Sequence, residues 1–293
     1  GDPMNLKIDR IPYSEFDYQE YLSKYINTST PVIIEGVNTF DSEKVTPEYI
    51  KTKFNDESKK EIGWFDSDLV DDEVIAIPRF VKDIMSHDDF AVRASPMRVF
   101  MQPNGHITLP HYDGNSLHGL NQQLLGEKRW IITSPKTPLP CTPFMFAALV
   151  GVDFHYDPAK YDFYDFITKP GDLLFVPRYN MHEVHSLGKV NCNANWVFTP
   201  KSPDESTVLG KREVEIVKLR KTWPAINKAF FPDKFSNYGG QGEELIAAYS
   251  QNVSYMRMVK RFIIELLGYP KLIMLAPQIK KRAHDFSKNN FNV

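Results

Sequence analysis

The chain has only two cysteines, Cys141 and Cys192, in 293 residues. That is too few for a disulfide framework and fits free, buried thiols in a reducing compartment. No run approaches the roughly 18 apolar residues of a membrane span, and the amino terminus lacks the basic-then-apolar order of a secretory leader. Export and membrane insertion are therefore not expected; the cytoplasm is, with the nucleus left open. A formal net charge of -2 gives no electrostatic reason to expect nucleic acid as a partner. Glycine is scarce, 15 residues beside 20 Phe and 14 Tyr, which excludes a low-complexity or disordered chain. With 42% hydrophobic and 25% charged residues, the chain has the composition of an ordinary soluble globular protein. It contains no internal repeat. The opening Gly-Asp-Pro before Met4 reads as an expression scar and is left out of the fold reading.

Charge is unevenly spread. From residue 251 onward Arg257, Lys260, Arg261, Lys271, Lys280, Lys281, Arg282 and Lys288 face only Glu265 and Asp285. This reads as a solvated helical face in preference to a docking patch. Asp66, Asp68, Asp71, Asp72 and Glu73 form an acidic stretch that could meet a basic peptide, although a surface loop needs no such role.

Three regions follow from periodicity. Residues 4–95 read as an α/β segment packing on the core. YSEFDYQEYLSKYI has helical spacing, PVIIEGV is a short buried strand closed by Gly36, TPEYIKTKF starts a helix with a Thr cap and a Pro, and IPRFVKDIMS suggests another. Residues 96–200 change to short apolar or alternating runs between turn residues: MRVFMQ, ITLPHYD, NQQLLG, KRWIITS, DLLFVP, HEVHSL and NANWVF. Strands at that spacing predict a sandwich or barrel. The aromatic stretch TPFMFAALVGVDFHYDPAKYDFYDFITKPGD, with turns at Asp157-Pro158 and Pro170-Gly171, is expected to drape over it. Residues 201–293 are helical. Leu245, Tyr249, Val253, Met256, Phe262 or Ile263, and Leu266 recur at threes and fours, and Gly268 and Pro270 are expected to stop the helix. That helix either caps the barrel or builds a homodimer interface, with packing inside the chain as the default.

The chemistry-bearing pattern begins at His111-Tyr112-Asp113. On a strand, residues i and i+2 share a face, so an imidazole and a carboxylate can hold one ion while Tyr112 points away. About seventy residues later, KPGDLLFVPRYNMHEVHSL brings His182 to the start of another strand. Two His and one carboxylate make a facial triad that leaves open positions on iron. His185, three residues on, should face the other side and serve as a structural His. His106, His118 and His155 have no partner at ligand spacing and default to turn or surface roles.

At this point the chain resembles the JmjC and cupin-like family of 2-oxoglutarate oxygenases. The resemblance rests on PVIIEGV, on P-x-G-x-x-T-x-x-H-x-D over Pro103 to Asp113, on GEKRWIITSP and on PGDLLFVP, all in the family's order. It implies a double-stranded β-helix, or jelly roll, as the core. It also implies Fe(II) on His111, Asp113 and His182, with 2-oxoglutarate as cofactor and dioxygen as co-substrate. The cofactor's distal carboxylate, once buried, must meet a cation and donors. Lys128, seventeen residues after His111, is the candidate cation, at a spacing similar to the lysyl hydroxylase branch. Thr108, Asn121, Asn193 and Asn195 fall where the family has cofactor contacts. The chain departs from the family at Asn180 and Met181, where many members have two Trp, and at Asn193, where a Thr is usual. The first departure bears on the pocket wall and the substrate, the second on the cofactor contacts.

The activity implied is hydroxylation of a carbon in a protein or peptide side chain or a free amino acid. Two rivals stand beside it: N-methyl-lysine demethylation, and a cupin that binds a metal without oxidising anything.

Overall fold

A computed structural model describes residues 5–54, 63–67, 70–93, 96–114, 116–134, 162–226 and 242–291. Strand β1 (Asn5–Leu6) and strand β2 (Asp9–Pro12) open the chain. The expected first helix forms in pieces: a single 3-10 turn at Tyr13–Glu15, helix α1 (Tyr18–Tyr21), then a π-helical turn at Leu22–Ile26. The Asp17 carboxylate caps α1 by accepting from the Glu20 N–H at 2.8 Å. PVIIEGV becomes β3 (Val32–Glu35), and Gly36 ends it at φ +76°. Thr46 and Pro47 start α2 (Pro47–Phe54) as their chemistry predicts, the Thr46 hydroxyl accepting from the Tyr49 N–H at 3.1 Å. Then come β4 (Gly63–Ser67), α3 (Arg79–Met85) and β5 (Phe90–Ala91).

The remaining strands are β6 (Met97–Pro103), β7 (Ile107–His111), β8 (His118–Thr133), β9 (Phe163–Thr168), β10 (Leu173–Val176) and β11 (Met181–Pro200). Two pairs of short runs seen in the sequence therefore fuse: NQQLLG with KRWIITS in β8, and HEVHSL with NANWVF in β11. The long strands pair antiparallel with each other. The first half of β8 also pairs with β10 and its second half with β9; β11 pairs with β7 near its start and β6 near its end. The result is one curled 11-stranded sheet whose main path runs β2-β3-β10-β8-β11-β6-β4. The tail of the draping stretch is strand β9; the rest of that stretch, with Asp157-Pro158 and His155, lies outside the described residues.

The largest core joins α1, α2 and α3 to one face of the sheet through Tyr21, Ile50, Phe80, Phe175 and Trp196. A separate core unites α4 (Val208–Thr222), α5 (Glu243–Ser250) and α6 (Tyr255–Phe291) around Val217, Tyr249 and Met258. The C-terminal reading needs correction here. The periodic run breaks at Gln251–Ser254, and α6 passes through Gly268, Pro270 and Pro277 to Phe291. An interior proline costs roughly 3 kcal/mol. The far end is held by burial of Ile279, Ala283 and Ser287 and by Arg282 on Glu183. Tertiary anchoring overrides the local stop signal. Met256, Leu266 and Ile263 of the expected apolar stripe are exposed.

Part of each charged stretch pairs within the chain. Asp72 accepts from the Tyr49 hydroxyl at 2.6 Å and from the Val74 and Ile75 N–H groups at 2.9 and 2.8 Å. Burial opposes its charge, but these donors and Lys53 bring its pKa down to about 2. Arg257 and Arg261 reach Glu215 at 2.9 and 2.6 Å. No helix among the described residues is long and apolar enough to cross a membrane.

Gly126 marks the bend in β8. Its φ is +68°, and an added Cβ would lie 2.6 Å from the Val190 carbonyl oxygen and 2.9 Å from that of Leu187. Backbone cannot step aside as a flexible side chain would. Gly126→Ala should therefore cost about 2–4 kcal/mol, combining left-handed strain with overpacking. Urea denaturation read by circular dichroism checks this, and an unchanged midpoint would show that the bend tolerates a side chain.

Candidate metal centre

The centre is built where β7 meets the start of β11. His182 pairs with His111, but Val184 pairs with Thr108, so three steps along β7 match two along β11. This bulge gives the strand an irregular turn that lets Thr108 and His111 line one cavity despite their odd spacing. β7 ends at His111, so Asp113 lies just past the strand and still faces the same cavity. Tyr112 turns away and is fully buried, as alternation predicts.

One donor atom from each of His111, Asp113 and His182 lies within 4.8 Å of the others. Asp113 Oδ1 is 3.5 Å from His111 Nε2 and 3.9 Å from His182 Nε2. Both imidazoles are oriented from behind. His111 Nδ1 sits 2.8 Å from the Leu109 carbonyl, and His182 Nδ1 sits 3.0 Å from that of Asn180. A carbonyl only accepts, so each Nδ1 carries the proton and each Nε2 presents its lone pair to the cavity.

Burial works against charge on Asp113, but His182, His111 and Arg98 outweigh it and hold the carboxyl well below the usual carboxylate range. For His182, desolvation, reinforced by His111, pushes the pKa down to about 4. Desolvation also acts on His111, but the Asp113 carboxylate beside it more than compensates, and its pKa is raised. An anionic oxygen and a neutral imidazole beside a second imidazole make a donor set suited to a divalent first-row metal.

The same cavity, about 490 Å³ with part of it open to solvent, is lined by Phe100, Gln102, Thr108, Gly119, Asn121, Lys128, Trp130, Val176, Val184 and Asn195 besides the triad. Lys128 is 4% exposed. Its ammonium donates to Asn193 Oδ1 and lies 5.4 Å from the centre of the Phe100 ring. Among the described residues no carboxylate pairs with it, and desolvation pushes its pKa down to about 7. The Asn193 Nδ2 group is likewise buried without a partner among those residues. A buried cation and an unused amide donor fit the carboxylate of a small acid.

Of the expected cofactor contacts, Thr108, Asn121, Lys128 and Asn195 line the cavity, while Asn193 stands behind Lys128. Arg129, adjacent in sequence, is committed elsewhere: its Nε is 2.7 Å from Asp165 and its guanidinium lies over Phe286. His185 is absent from the cavity and bonds Glu183 at 2.7 Å. His106 sits beside a turn, but His118 is neither turn nor surface. It opens β8, is buried, and its Nδ1 accepts from the Arg178 N–H at 2.9 Å. Sequence reasoning missed Phe100, Gln102 and Trp130. Alternation from Lys128 would have found Trp130; nothing nearby singled out the β6 pair.

Residues 78–199 match the model of the JmjC domain family. These residues are similar to a JmjC domain. Such a domain implies a cupin-like β fold, and the matched stretch contains the triad, Lys128 and the other cavity residues named above. Ribosomal oxygenase 2 of Rattus norvegicus is 38% identical over 90 residues, covering 30% of this chain and 17% of that protein. The same-named protein of Mus musculus is 36% identical over 90 residues, with the same coverage of 30% and 17%. The chain thus spans about a sixth of the length of these curated relatives. A solved structure, titled the X-ray structure of E. coli ycfD, shares 15% identity at a TM-score of 0.42, covering 90% of this chain and 70% of that one. That likeness is too loose to bear on the fold.

The burial of Lys128 has a pH signature. Unfolded lysine titrates near 10.5 and the folded group near 7, so between these values the unfolded chain binds a proton that the native chain does not. Wild-type stability should therefore rise with pH across this window relative to Lys128→Met. The variant's advantage, on the order of 3–5 kcal/mol at pH 7, should shrink toward pH 10. Paired urea melts at pH 7 and 9.5 measure it; a constant difference would contradict the burial of a strained ammonium.

Proposed function

We propose that the curled sheet is a double-stranded β-helix and that the chain is an Fe(II)- and 2-oxoglutarate-dependent dioxygenase. It hydroxylates a carbon of a protein or peptide side chain or an amino acid. One observation carries this reading: an iron-type donor set and a buried, anion-seeking lysine line a single cavity. The likeness to ribosomal oxygenases supports an oxygenase in particular, with a ribosome-associated side chain among the substrates to try first.

In this reading His111, Asp113 and His182 hold the iron and leave its remaining positions open to small ligands. When bound, iron and 2-oxoglutarate together activate dioxygen, the ketoacid leaving as succinate and carbon dioxide while one oxygen atom enters the substrate. Lys128, with Thr108, Asn121 and Asn195 lining the same cavity, would bind the distal carboxylate. Asn193 holds the ammonium in place until that carboxylate arrives. Trp130 and Val184 wall the site with apolar surface, excluding water and strengthening each polar contact inside. The Leu109 and Asn180 carbonyls hold the Nδ1 side of each imidazole, so Nε2 is the atom left to face a metal.

Incubation with Fe(II), ascorbate and 2-oxoglutarate should release succinate. Asp113→Ala should stay folded and lose that release. Lys128→Ala should weaken 2-oxoglutarate binding by roughly two to three orders of magnitude, the equivalent of about 3–5 kcal/mol for leaving a buried charge unpaired. Metal binding by the wild type without any succinate would sink the oxygenase reading in favour of a non-oxidising metal-binding cupin.

A further inference from the structure

On the sides facing away from the cavity, both ligand-bearing segments are tied to α6, the Tyr112 segment through Arg212 of α4 and the Glu183 segment directly. Tyr112 lies between His111 and Asp113, and its hydroxyl donates to Glu213 on α4 at 2.5 Å. Arg212 donates to that same hydroxyl and grips both carboxylate oxygens of Glu265 on α6, at 2.6 and 3.3 Å. Glu183 follows His182 directly and is fully buried. One of its oxygens accepts from His185 at 2.7 Å, and the other accepts from Arg282, also on α6. One helical turn beyond Arg282, Phe286 packs 5.5 Å from the His185 ring.

Stability alone is a weak reason for such ties. A buried ion pair seldom outperforms well-packed apolar side chains, because desolvation offsets its Coulomb attraction. What it fixes is geometry, since a guanidinium that grips two oxygens tolerates little displacement. Here the fixed residues are chain neighbours of the metal donors. Glu265 and Arg282, seventeen residues apart in α6, are separated by roughly 25 Å of helix at 1.5 Å per residue. The helix therefore braces both halves of the triad at once.

We propose that Tyr112 and Glu183 are positioning residues through which the docking of α6 sets the affinity of the triad for its metal, an inference that rests on the metal-centre reading above. Neither side chain touches the metal. A shift of α6 would pull both segments and spread the donors.

Titration of the full chain with Co(II), followed by visible absorption, tests this in Tyr112→Phe, Glu183→Gln and Glu265→Gln. Each should bind Co(II) about 10–100-fold more weakly than wild type, the loss typical when partners behind metal ligands are removed. Each should also show altered ligand-field bands while keeping a native far-UV spectrum. Lys281→Ala, whose ammonium meets Asp285 on an exposed face of the same helix, serves as the control and should match wild type. Folded Tyr112→Phe and Glu265→Gln proteins with wild-type Co(II) affinity and spectrum would overturn the inference. Should Glu183→Gln fail to fold, Tyr112→Phe, which deletes a single oxygen, still decides. Wild-type Co(II) binding that survives Asp113→Ala would overturn the metal-centre reading itself and this inference with it. Binding lost in Asp113→Ala but unchanged in all three variants would overturn the inference alone.

Discussion

The antiparallel pairing of β8 with β11 carries the rest of the molecule, because each strand serves two halves of the curled sheet and together they supply most of the cavity. Along this ladder Ser186 stands opposite Lys128, Asn193 opposite Gln123 and Asn195 opposite Asn121. Residues that share a face of a regular strand keep even spacing. The cavity instead takes Gly119 and Asn121, then Lys128 and Trp130 from β8, and His182 and Val184, then Asn195 from β11. Both strands change parity on the way, and both carry a positive-φ glycine between the halves, Gly126 and Gly188. An interruption of the ladder between Leu187 and Cys192 absorbs the mismatch. Were β8 to slip by one residue, Leu120 or Gln122 would replace Asn121 and Glu127 or Arg129 would replace Lys128 in the cavity.

This explains which parts were legible in the sequence. The triad was readable because its members sit next to punctuation: His111 and Asp113 follow the Pro103-Gly105 turn, and His182 follows the Pro-Gly turn with its apolar strand. Tyr112 was correctly turned away by alternation alone. Lys128 and the asparagines needed the family resemblance, since nothing local distinguishes a buried lysine from a solvated one. The fusion of short runs into β8 and β11 was not legible, because a glycine inside a strand and a glycine ending one look alike until pairing decides between them. His118 was misread for a related reason. Its neighbours Ser116 and Gly119 suggest a loop, yet Phe175 and Phe198 bury its ring on the sheet.

The C-terminal helices show the opposite limit. Local chemistry at Gly268 and Pro270 gave a clear stop, and the helix ignores it because contacts made from Ile279 to Ser287 outweigh the lost hydrogen bonds. Part of the basic surplus there is spent inside the chain: Arg257 and Arg261 pair with Glu215, and Arg282 pairs with Glu183, while Lys260, Lys280 and Lys288 stay exposed. Long-range charge pairing leaves no periodic trace, so a single sequence shows the surplus and hides the partners.

Cys192 lies in the largest core, opposite Leu125 on one side and Met101 on the other. Burial pushes its thiol up to about 12, so it stays protonated and shielded throughout the neutral range. A protonated, enclosed sulfur is a poor target for peroxide or alkylating reagents, even within a strand that also contributes to a proposed oxidising centre. Reaction at this sulfur requires the core around it to open, so its rate would time how often that face of the sheet is uncovered.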